Sequence, residues 1–112
     1  MKNIIASAAA VLIALTVPAT ANPTIRQEIM RDVVHPCLAK SAKRNLTGSA
    51  SLFIEGKSDR EIYDLYALMN AEIPKNAESI IAMILPAVSG KSVSTRRTLY
   101  VEFRRLCEAI VQ

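Results

Sequence analysis

The chain has one histidine and two cysteines, and these residues decide most of the chemistry open to it. His35 and Cys37 lie together in "DVVHPCLAK", residues 32–40, and Cys107 lies near the C-terminus. A zinc site takes about four ligands, usually Cys and His in close pairs. One His and two distant Cys fall short of that set, and no carboxylate cluster completes it. A dithiol redox centre would carry Cys-x-x-Cys, which tunes one thiol against its neighbour. That motif is absent. A cysteine nucleophile needs a base, and His35, two residues from Cys37, would point to a different face of a helix. What remains is one disulfide, Cys37–Cys107, the only pairing two cysteines allow.

Other catalytic patterns are missing too. There is no Gly-rich phosphate loop and no His-Glu-x-x-His. The carboxylates are scattered; Asp59, Glu61 and Asp64 sit near where a helix should begin, and acids there interact favourably with the helix dipole without any catalytic role. With no Trp, three Tyr and two Phe, a sugar-stacking groove is disfavoured. The expectation is a non-enzyme with no cofactor and no metal.

The N-terminus gives the compartment. Lys2 is followed by an uncharged apolar run from Ile4 to Val17, then Pro18 and the small-x-small triplet Ala19-Thr20-Ala21. This is the pattern of a secretory signal peptide cleaved after Ala21, and the run is shorter than the roughly 20 residues a spanning helix needs. Residues 1–21 are thus read as a leader and 22–112 as a single domain, periplasmic or secreted. An oxidising compartment favours the disulfide. Without Lys2, 13 basic residues face 10 acidic ones, a modest excess that permits an anionic partner without demanding one. The sequon Asn45-Leu46-Thr47 matters only in a eukaryotic source, and the leader reads as bacterial.

The elements that must position the cysteines read as helices throughout. Asn22 and Pro23 suit a helix start, and Ile25, Ile29 and Val33 recur at steps of four before Pro36, where a kink or break is expected. Leu52, Phe53 and Ile54 fit a short helical turn ended by Gly56. Ser58-Asp59-Arg60-Glu61 is a capping box. It opens a second helix with the stripe Ile62, Leu65, Tyr66, Met69 and Ile73, expected to end at Pro74. A third helix, from about Asn76 to Ser89 with Gly90 as its stop, is apolar over more than half its circumference, the pattern of a central, buried helix. Ile80, Ile84 and Leu85 should be deeply buried in it. The fourth follows Ser94 as N-cap, with Leu99, Phe103, Leu106 and Ile110 as its core stripe and Tyr100 and Cys107 on one flank. The fold class is all-α, a compact bundle of four to five short helices with the terminal helices joined by one disulfide.

If the first and last helices ran antiparallel, Lys40, Lys43 and Arg44 would approach Arg104 and Arg97, with Arg105 nearby. That patch could hold an anionic partner or membrane surface, although charges of this kind mostly serve solubility. Nucleic acid is not expected outside the cytoplasm.

"EGKSDREIYDLY", residues 55–66, resembles the helix-turn-helix signature of bacterial cytochrome c maturation proteins of the haem-ligation branch. The paired cysteines of that family are missing here, so no function is carried over. In size, export and single disulfide the chain is also similar to the small acid-stress chaperones of the enterobacterial periplasm, with no shared motif. The sequence therefore points to an exported helical protein that binds another envelope protein, as an inhibitor, immunity factor or accessory subunit. A stress-activated holdase and a small hydrolase with an unrecognised site are the alternatives.

Overall fold

The computed structural model describes residues 23–111 of the 112-residue chain. The leader, its cleavage point and Asn22 lie outside the described residues. Among the described residues five α-helices run in order: α1 (Pro23–Ile29), α2 (His35–Asn45), α3 (Asp59–Met69), α4 (Glu72–Val88) and α5 (Val93–Ile110). A π turn over Met30–Val34 links α1 to α2, and a 3-10 turn over Gly48–Phe53 precedes α3. The fold is all-α, and the described residues contain no strand.

Pro36 does not break the first helix. It has no N–H for the carbonyl of Asp32, and the helical ladder changes register just before it. The His35 N–H bonds to the Met30 carbonyl, five residues back. The π turn takes up this mismatch, and α1, the π turn and α2 form one helical rod from Pro23 to Asn45.

This rod is the centre of the molecule. Ile29, Val33, Val34, Cys37 and Leu38 are all fully buried on it. Ile62 and Tyr66 of α3, Ile81, Ile84 and Val88 of α4, and Tyr100 and Cys107 of α5 pack around them. The expectation that the third helix would be central is corrected here. Ile84 and Leu85 are buried as expected, but Ile80 is only half-buried and Met83 is 70% exposed. The apolar circumference of α4 is divided between the core and the outside.

Three helix boundaries also move. The Ser58 capping box forms, with the Glu61 N–H donating to the Ser58 hydroxyl and the Ser58 N–H donating to the Glu61 carboxylate. However, α3 ends at Met69, and Asn70 begins a new helix by accepting the Glu72 N–H on its side chain. Ile73 and Pro74 therefore belong to the first turn of α4, where a proline's missing N–H costs little. At the other end Gly90, with φ of 79°, stops α4 as the sequence indicates. The N-cap of α5 is Ser92, which accepts the Thr95 N–H, and not Ser94.

The disulfide is present. Cys37 on α2 and Cys107 on α5 are bonded, with Cα atoms 5.9 Å apart. The two helices run parallel, contrary to the antiparallel arrangement considered above. Arg96 and Tyr100 meet Glu28, Cys107 meets Cys37, and Glu108 meets Lys40, so partners advance together along both elements.

Candidate functional site

The parallel pairing decides which side of α5 faces the core. Tyr100 and Cys107 are its buried residues, because one reaches Glu28 and the other is bonded to Cys37. These residues lie about 90 degrees around the helix from the apolar stripe Leu99, Phe103, Leu106 and Ile110. The stripe expected to form the core is therefore turned partly outward. Leu99 and Phe103 are half-buried, while Leu106 is 59% and Ile110 77% exposed.

On α4, Ile80 and Met83 face the same space. Together with Phe103, Leu106 and Ile110 they line a groove of about 340 Å³ between α4 and α5. Its base includes Ile84 and Cys107, and its polar lining residues are Asn76 and Ser79. An apolar cleft of this size with few polar groups is the usual form of a binding site. Its lining offers no general acid or base and no strong cation ligand. What it can do is bury apolar surface. Methionine suits such a wall, since its flexible thioether adapts to different shapes.

A largely shielded polar network holds α5 beside this groove. Arg96 binds Glu28 through two hydrogen bonds, Nε to Oε1 at 2.8 Å and Nη2 to Oε2 at 3.0 Å. The Tyr100 hydroxyl donates to Glu28 Oε1 at 2.8 Å. These bonds hold the Glu28 carboxyl at a pKa of about 2, chiefly through Arg96. Burial, with the neighbouring carboxylate, pushes the Tyr100 phenol up to about 12. The sequence reading missed this network. The signal was the disulfide itself: the 70-residue offset between its cysteines, applied to Glu28 on parallel helices, falls between Arg96 and Tyr100.

Of the basic residues singled out in the sequence, Lys40, Lys43 and Arg104 come together as expected, while Arg97 lies apart. Lys40, Lys43 and Arg104 line a shallow depression of about 390 Å³, but Asp59 and Glu108 line it with them. Lys40 is 3.7 Å from Glu108, and Arg105 pairs at 3.2 Å with Glu102 on its own helix. Arg97 adjoins Arg96 at the Glu28 level of the rod, about four helical turns or roughly 20 Å from Lys43 and Arg44. The antiparallel arrangement that would have united these six residues does not occur.

The chain matches no known protein family, no curated protein and no solved structure.

Proposed function

We propose that this protein is an exported, disulfide-stapled helical binding protein, and that its α4–α5 groove takes an apolar helical segment of another envelope protein. The observation that carries this reading is the groove itself. A folded domain with a covalent staple leaves Met83, Leu106 and Ile110 largely exposed along one cleft between two helices. Exposed apolar residues grouped in this way mark interaction sites more often than scattered ones do. A cleft walled by two helices suits an amphipathic helix, which would insert side chains at helical spacing. The two acids, Asp59 and Glu108, set among the three bases Lys40, Lys43 and Arg104 support a protein partner over an anionic membrane surface.

The test is site-specific photocrosslinking in exporting cells, with the crosslinker placed at Met83. One partner should be captured. Capture should be lost in Leu106→Glu and Ile110→Glu variants whose melting curves are unchanged. If a crosslinker at Lys43 captures the partner and one at Met83 does not, the groove is not the binding surface. A holdase would instead capture many unfolded proteins, and only under acid.

A further inference from the structure

A second cavity lies on another side of the molecule. It is a cleft of about 600 Å³ between the rod and α3, lined by Arg26, Arg31, His35, Arg60, Tyr63 and Asp64, among others. The π turn builds it. On a uniform α-helix, Met30 and His35 would lie 140 degrees apart. A π turn spans five residues per hydrogen bond, and here the His35 N–H bonds to the Met30 carbonyl, which stacks the two residues on one face. His35 thereby enters the cleft and meets Tyr63, with ring centroids 5.1 Å apart and planes tilted by 46°. π turns of this kind are frequent at functional sites.

We propose that this cleft binds a small organic anion: a planar apolar body lying against the His35–Tyr63 wall, with a carboxylate or phosphate held by the arginines. Three guanidiniums line the cleft against one carboxylate, Asp64. The ion-pair partners of Arg26 and Arg31, Glu78 and Asp32, are not part of the lining. Arg26 uses Nη2 for Glu78, and Arg31 uses Nε and Nη2 for Asp32. A guanidinium carries five N–H donors, so both keep donors for a ligand. Arg60 stands 4.0 Å from Asp64, beyond hydrogen-bonding distance. Guanidinium forks match the geometry of carboxylate and phosphate oxygens. Burial holds the His35 pKa below its ordinary value, so the imidazole serves as part of the ring wall and the arginines supply the charge. The cleft volume is within the range of small-molecule sites. It shares no residue with the α4–α5 groove, so this proposal stands apart from the partner-binding reading.

The single histidine gives an unambiguous reporter. In a proton NMR titration of the folded protein at fixed pH, phenyl phosphate or benzoate should move the His35 ring C–H resonances along a saturating curve. Inorganic phosphate should bind at least about tenfold more weakly, because it has no body to lie on the rings. Arg31 and Arg60 are exposed enough to change without harm to the core. The Arg31→Gln/Arg60→Gln protein should keep its melting temperature and lose about tenfold or more in affinity. Resonances that do not move with either organic anion overturn the proposal. Equal affinity for inorganic and phenyl phosphate, or unchanged affinity in the double variant, overturns it as well. If only phenyl phosphate binds, the head group is a phosphate; if only benzoate binds, it is a carboxylate. Both results support the site.

Discussion

Arg96 grips the carboxylate of Glu28 with two parallel hydrogen bonds that join α5 to α1. Charge-assisted pairs with this two-pronged geometry are stronger and more directional than single contacts. The pair is largely shielded from solvent, with the Arg96 and Glu28 side chains 13% and 16% exposed.

The pair makes stability depend on acid. The Glu28 pKa is lowered from 4.5 to about 2 in the folded chain, so its contribution is complete above 4.5 and is lost as pH falls through 2. Glu28→Gln should melt several degrees below the native protein at neutral pH. The difference between the two should shrink steadily from pH 4.5 to pH 2. Melting curves by circular dichroism across that range provide the check, and a constant difference would show that the carboxylate charge is irrelevant.

Tyr100 gives the alkaline counterpart. Its pKa is raised from 10 to about 12, so its contribution is complete below pH 10 and is lost as pH rises through 12. Tyr100→Phe should cost about 1.5–3 kcal/mol at neutral pH, since one hydrogen bond to a charged carboxylate is removed from a site that stays packed. Denaturant unfolding of the native and Phe proteins at pH 8 and at pH 11 should show the gap closing at the higher pH.

The disulfide should supply much of the net stability. It closes a loop across 70 positions, for which the chain-entropy model gives about 4 kcal/mol. Reduction, or the Cys37→Ser/Cys107→Ser replacement, should lower the melting temperature by at least about 10 °C at 4–8 °C per kcal/mol for a small domain. A double variant that melts normally and has lost activity would assign the cysteines to chemistry and remove them from architecture.

Two neighbours on α4 should behave differently. Ile84 is 2% exposed, and Ile84→Ala should cost roughly 2–5 kcal/mol. Met83 faces the groove, and Met83→Ala should leave stability almost unchanged while weakening partner capture. Comparing unfolding midpoints with crosslinking yields separates the two roles.

The sequence made some of this architecture readable and left the rest open for physical reasons. Local signals were reliable: the Ser58 capping box, the Gly90 stop and the helical class all come from short-range chemistry, and all are present. The positions of Ile80 and Ile110 were misread because periodicity locates an apolar stripe but not the neighbour that covers it. On α5 the stripe is real, yet Cys107 and Tyr100 determine the helix rotation through bonds to distant residues. The groove follows from that rotation. Pro36 was recognised as a disruption, but whether the chain would break or change register depended on its tertiary surroundings. The π turn, and with it the placement of His35 beside Tyr63, was for that reason beyond local reading.

A beam on a single support can swing, and a beam on two is fixed in direction. Besides its core packing, α5 has two strong ties of different kinds to the rod, the Glu28 grip near its start and the sulfur bridge near its end. By helical rise they are about 10–16 Å apart, which leaves little leverage for tilting. The outer wall of the groove therefore keeps its aim when nothing occupies it, and a helix docked as proposed would not have to freeze that wall into place. Acid and reductant each remove one support, at opposite ends.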